Sequence, residues 1–199
     1  MSAALPIIYM ARHGETAWSL TGQHTGLTDL PLTERGERNA SRLRQRLKGL
    51  TFARVFTSPL QRARRTCELA GFGALAEIDR DLLEWNYGAY EGRRTAEIRV
   101  ERPDWQLFRD GCPGGESPAQ VAGRADRAVS RLRAIPGEVL LFSSGHFLRA
   151  LAVRWIGLEL TSHARSFMLS TASLSALGYE ESLSRPVIRL WNETRHVEE

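Results

Sequence analysis

Arg12, His13 and Gly14 are adjacent in this sequence, and together they offer the means to handle a phosphoryl group. His13 supplies a nucleophilic imidazole nitrogen, and Arg12 a fork of donors matched to phosphate oxygens. Gly14 has no Cβ and would let a ligand come close to the backbone. The apolar run 7–10 reads as a short buried strand whose polarity flips at Arg12, so the histidine arrives at a strand's carboxyl end. Open α/β sheets bind their ligands there. A strand followed by a polar loop with an incidental histidine would look the same over these few residues, so the remaining chain has to decide.

Three further places add to the case. Arg62 falls in the first turn of an expected helix over 60–70, just after a strand over 52–57 and the breaker Ser58-Pro59. A helix N-terminus and an arginine both favour bound phosphate. Glu84 lies among Trp85, Tyr87 and Tyr90; partial desolvation there would suit a general acid, while a surface glutamate in an aromatic turn is the plain alternative. Ser143-Ser144-Gly145-His146 repeats the opening geometry of strand end, glycine and histidine, although a helix cap with a surface histidine reads equally well.

The elements that would position these groups follow from periodicity and breakers. Residues 18–32 read as a long loop whose hydroxyls and amides could wrap an anion. Thr33 caps a helix from 34, with Ala40, Leu43, Leu47 and Leu50 on one face. An edge strand is expected over 75–78, and short helices over 95–100 and 103–109, with Trp105 and Phe108 facing the core. Ser117-Pro118-Ala119-Gln120 has the makings of a capping box for a helix to 135. The apolar strand 138–142 has the character of a parallel central strand. A helix through Arg149 and Trp155 stops at Gly157, and strands 173–179 and 187–191 close the chain as a hairpin. From Asn192 the tail reads as polar and mobile. His24 is placed to line the site through its loop, whereas His163, His196, Arg64 and Arg65 read as surface.

Composition narrows the class. The chain is 42% hydrophobic and has the length of one α/β domain spanning 1–199. No apolar run approaches a membrane span and no leader-like segment opens it, so a soluble cytoplasmic protein is expected, with no membrane partner. Cys67 and Cys112 read as reduced thiols without metal-ligand spacing. The net charge is +4, and Lys48 is the only lysine. Arginine favours phosphate oxyanions, but the bases are scattered among acids without a basic tail, which argues against nucleic acid.

Six elements in order resemble the histidine phosphatase superfamily, the phosphoglycerate mutase-like fold. They are Arg12-His13-Gly14-Glu15-Thr16, Thr25-Gly26, Ser58-Pro59 followed by Arg62, Glu84 in its aromatic turn, Gly114-Gly115-Glu116-Ser117, and the glycine turn before Arg149. The resemblance implies a three-layer α/β/α sandwich with a mostly parallel sheet, a reaction that needs no metal or other cofactor, and a small phosphate ester as partner. It implies His13 as the nucleophile, Arg12 and Arg62 as the clamp on phosphate oxygens, and Glu84 as acid and then base. Ser19, Thr25, Gly26 and Tyr87 match positions around the substrate, as do Gly145 and His146 in the second turn. The chain departs from the family at Ser144, which occupies the place of the second catalytic histidine. One lost oxyanion-type donor costs about 10²–10³ in rate, so reduced turnover, or compensation by His146, is expected.

Among family members the chain is most similar to sedoheptulose-1,7-bisphosphatase-like enzymes and bacterial broad-specificity phosphatases. The connection between the Glu84 turn and the Gly-Glu-Ser loop is short. A mutase must shield its phosphohistidine from water while the substrate reorients, so a small lid favours hydrolysis of sugar phosphates or bisphosphates. The alternatives are a phosphoglycerate mutase and a weakly active phosphate-ester-binding regulatory module.

Overall fold

The computed structural model describes residues 5–197. Six strands form one sheet: β1 Ile8–Arg12, β2 Arg54–Thr57, β3 Ala76–Ile78, β4 Val139–Ser143, β5 Leu174–Tyr179 and β6 Pro186–Glu193. Their order is β3-β2-β4-β1-β5-β6. The first four of that order run parallel, and β5 lies antiparallel to both β1 and β6. All five residues of β4 are buried, as a strand covered on both faces requires.

Eight helices connect the strands: α1 Ala17–Thr21, α2 Glu34–Arg46, α3 Gln61–Leu69, α4 Thr95–Glu101, α5 Leu107–Asp110, α6 Pro118–Arg133, α7 Gly145–Trp155 and α8 Leu160–His163. The alternation of side chains along the strands splits the core in two. Ile8, Met10, Val139, Leu141 and Leu177 join the apolar faces of α6 and α7. Ala11, Val55, Leu140 and Phe142 face α2 and α3. The result is the expected mostly parallel α/β/α arrangement, with helices on both sheet faces. Among the described residues no helix is long and apolar enough to cross a membrane.

Several boundaries differ from the sequence reading. The stretch 18–32 is not one loop, because α1 occupies its start: Thr16 Oγ1 accepts from Ser19 N–H while Ser19 Oγ accepts from Thr16 N–H, and Gly22 closes the turn at φ 78°. A five-residue helix held by its caps leaves no apolar period to read. The helix expected over 103–109 is only Leu107–Asp110. The tail from Asn192 is not loose as far as residue 197, although its last two residues lie outside the described ones. Glu193 closes β6, buried, and accepts from Arg46 Nε at 3.0 Å and Arg195 Nε at 2.8 Å. His196 is likewise no surface residue, since its side chain is 5% exposed and its Nε2 donates to the Ala172 carbonyl at 2.8 Å. Polar residues find these partners across long sequence separations, which local polarity does not reveal.

Candidate active site

β1 carries His13 just past its last residue, where backbone bonds from Arg12 N–H to the Ser173 carbonyl and from His13 N–H to the Ser143 carbonyl tie both to the neighbouring strands' ends. His13 Nδ1 donates to the Gly14 carbonyl at 2.7 Å, which leaves Nε2 with its lone pair free. Burial, then the charges of Arg62 and Arg12, hold this imidazole well below its ordinary pKa, against a smaller opposing effect of the Gly14 bond. It is therefore neutral at pH 7. Behind it, Ala172 donates its N–H to the His13 carbonyl at 3.0 Å and adopts a left-handed backbone, φ 56°.

Gly14 serves a different purpose from close ligand approach. A Cβ there would meet the Gly36 carbonyl oxygen at 2.5 Å, so the glycine lets the first turn of α2 lie directly against the loop. Gly26 is similarly spoken for by the backbone of Trp85 and the carboxylate of Glu91.

Arg12 reaches the Leu169 carbonyl through Nη1, while its buried Nε has no partner. A Cβ on Gly145 would press on the Arg12 guanidinium carbon at 3.2 Å, so that glycine makes room for the arginine. Arg62 is fully buried and gives its terminal donors to the carbonyls of Thr25 (3.0 Å), Gly26 (2.8 Å) and Thr28 (3.0 Å). The 25–28 loop thus turns carbonyls, not amides, towards this cation, and its Gly26 and Thr28 amides go to Glu91 Oε1. The expected anion-wrapping loop is instead a sleeve around Arg62.

Glu84 is buried, as expected beside Trp85. Its carboxylate accepts from three backbone N–H groups: Trp85 and Phe147 at 2.8 Å and His146 at 2.9 Å. Two of those belong to the first turn of α7, so Glu84 caps that helix from a distance. Ser144 sits at the N-cap position without making a side-chain cap, and its hydroxyl is buried without a partner. The Glu84 turn is held by Arg124, which donates to Glu116 at 2.8 and 3.0 Å and to the carbonyls of Asp81 and Leu83. Sequence reasoning passed over Arg124 as part of a helix face.

Tyr87 and His146 form a pair at 2.6 Å between the hydroxyl and Nδ1. Burial pushes the tyrosine well above and the histidine well below their usual values, so both are neutral. One proton is shared along this bond, between a phenol and an imidazole that are both uncharged. His24 stacks on Tyr87 with ring centroids 4.7 Å apart, and burial lowers its pKa to about 4.

A cavity of about 240 Å³ collects Arg12, His13, Ser19, Thr25, Glu84, Tyr87, Gly145 and His146, and His24 lines it as anticipated. Gly14, Gly26, Arg62 and Ser144 stay behind its wall. Among the described residues, no three His, Cys, Asp or Glu side chains gather as metal ligands.

The sequence profile of the histidine phosphatase superfamily, branch 1, matches residues 8–194. The chain belongs to that superfamily. An acid phosphatase of Mycobacterium tuberculosis is 42% identical over 180 residues, 88% of each chain. A sedoheptulose 1,7-bisphosphatase of Saccharomyces cerevisiae is 37% identical over 191 residues, 79% of this chain and 70% of the relative. The solved structure of a Mycobacterium tuberculosis open reading frame superposes with a TM-score of 0.89 at 40% identity, covering 94% of this chain and 97% of the other.

This histidine phosphatase also lines its cavity with residues that the sequence reading missed, among them Gln23, Thr95 and Arg149. Arg149 was legible in principle, being three residues beyond His146 and so on the same face of α7. Its Nε and Nη2 both donate to the Ala164 carbonyl, at 3.0 and 2.8 Å, and its guanidinium lies 4.7 Å over the Phe108 ring. Burial lowers its pKa to about 10.

Proposed function

We propose that this histidine phosphatase hydrolyses small phosphate monoesters through a phosphohistidine on His13. The observation that carries the reading is the bond from His13 Nδ1 to the Gly14 carbonyl, because it aims an unprotonated Nε2 into a cavity beside Arg12. In the forward step Nε2 bonds to phosphorus as the phosphorus–oxygen bond to the leaving group breaks. The transition state spreads negative charge over the equatorial oxygens, which Arg12 and the nearby charge of Arg62 stabilise. Glu84 gives its proton to the departing alkoxide, and the carboxylate left behind is met by the three N–H groups already around it. The same carboxylate then takes a proton from water as the water oxygen attacks phosphorus, which releases phosphate and restores both residues.

Sugar phosphates and sugar bisphosphates such as sedoheptulose 1,7-bisphosphate are the substrates this reading favours, supported by the likeness to the yeast sedoheptulose 1,7-bisphosphatase and by the small lid. Only α4 and α5 lie between the Glu84 turn and the 114–117 loop. Rapid mixing with a generic phosphoester, a quench at mildly alkaline pH and mass spectrometry are expected to find the phosphoryl adduct on His13. Phosphate release without that adduct, or isomerisation of 3-phosphoglycerate faster than phosphate release, would overturn the proposal.

One observation favours a second reading, that of a weakly active phosphate-ester-binding module: the unpartnered hydroxyl of Ser144, at the place of the family's second histidine. It predicts saturable binding with turnover near background, lost on Arg12→Ala.

A further inference from the structure

A second cavity, of about 210 Å³, adjoins the first and shares His24, Thr95, His146 and Arg149 with it. Its other walls bring in Arg99 from α4 and Arg165 from the turn after α8, so three guanidinium groups face one small space. No carboxylate lines that space. Arg99 donates through Nε to the Trp105 carbonyl at 3.2 Å, and Arg165 reaches only the Gln106 side-chain oxygen at 3.5 Å. Close by in sequence the pattern is different: Arg93 pairs with Glu101, Arg109 with Asp110 and Arg154 with Asp126. Those arginines are ion-paired, whereas Arg99, Arg149 and Arg165 find only carbonyl or amide oxygens as hydrogen-bond partners. Three like charges in a shared recess repel one another, and Arg149 has lost much of its hydration as well. An arriving oxyanion relieves both costs, and guanidinium is the group best shaped to bind it.

We propose that Arg99, Arg149 and Arg165 form a subsite for a second oxyanion of the substrate, so that the enzyme prefers esters with an anionic group at each end. The inference rests on the phosphatase reading and deepens it. The scissile phosphate sits against His13 and Arg12, the uncharged body of the substrate lies along the wall that His24 and His146 give to both cavities, and the far phosphate enters the arginine recess. Trp105 and Phe108 supply an apolar wall along that path. The contact is exposed at Arg99 and Arg165, so it acts on affinity and selection and takes no part in bond making.

The test compares fructose 1,6-bisphosphate with para-nitrophenyl phosphate, which has one anionic end, on the wild type and on an Arg99→Gln/Arg165→Gln double variant. Loss of two charge-assisted contacts is expected to raise KM for the bisphosphate roughly 10- to 100-fold. Both kinetic constants for para-nitrophenyl phosphate should stay within about twofold, since that ester never meets the recess. Equal losses on both substrates, or none on either, would overturn the subsite. Calorimetric binding of fructose 1,6-bisphosphate to a His13→Ala background, with and without the double substitution, reads the subsite independently of turnover. An inactive wild type that still loses bisphosphate affinity on the double substitution would sink the hydrolytic reading and keep the subsite. Unchanged affinity in an active enzyme would do the reverse.

Discussion

Ser144 and His13 follow the adjacent strands β4 and β1 at the sheet's carboxyl edge, and the chemistry of the site depends on how differently they are furnished. His13 has its tautomer fixed by a carbonyl and its charge removed by burial, while the Ser144 hydroxyl has no bond at all. A donor restored at that position would add a bond made most strongly in the transition state. Ser144→His is accordingly expected to raise kcat by about 10²-fold with a smaller change in KM; an unchanged kcat would show that the serine belongs to a site that works without a second imidazole. At this scale the sequence was informative about chemistry and poor about geometry. The Arg12-His13-Gly14 triplet pointed to an imidazole beside a cation, and eight of the twelve residues singled out line the cavity. The misjudged glycines fail for one reason: a missing Cβ records a close approach, but not whether a ligand or another stretch of backbone makes it.

The elements show what those approaches accomplish. Gly14 and Gly36 let α2 rest on the loop that follows His13, where a Cβ on Gly36 would run into the Glu15 backbone. Gly36→Ala is therefore expected to cost about 2 kcal/mol or more, because rigid backbone must yield; urea denaturation of the variant gives the number, and a loss below about 0.5 kcal/mol would contradict the packing. Arg124 does comparable service for the Glu84 turn. Its removal would leave Glu116 with an uncompensated, largely desolvated charge, so Arg124→Ala should lose about 3 kcal/mol in the same measurement. None of this was visible in the chain, since a lone arginine in an amphipathic helix reads as solvent-facing until its carbonyl partners 40 to 43 residues upstream are known. Helices α2, α3, α6 and α7 were legible because their apolar faces repeat and their ends carry caps or breakers. The five residues of α1 have neither a periodic face nor a breaker in front, and so passed for loop.

Over the molecule as a whole, the buried imidazoles set the response to acid. The folded-state pKa of His24 is about 4 against an ordinary 6.5, and His13 and His146 move in the same direction. Below about pH 6.5 the unfolded chain takes up protons that the folded one refuses, so stability present at neutral pH is lost as pH falls towards 4. For His24 alone the full effect is on the order of 3 kcal/mol. Glu193, held at about 2 by its arginine neighbours, extends the loss below pH 4.5. Urea midpoints are expected to drop steadily from pH 7.5 to 5, and His24→Gln should flatten part of that decline; parallel curves for the two proteins would refute the assignment. The order of the strands was the least legible property of all, because hydrophobic patterning says which segments pair with something and not with what.

That order also governs how the enzyme comes into being. β1 lies between β4 and β5, so the strand that leads to His13 has no neighbour to bond until residues 139–143 and 174–179 exist. On the ribosome, the earliest strand of the sheet must wait as an open edge while more than a hundred residues are added behind it. Such distant pairing is slow, and it leaves an apolar segment exposed to other nascent chains. Synthesis that stalls before β4 would yield no half-built site, only a chain whose His13 hangs at the end of an unpaired ribbon.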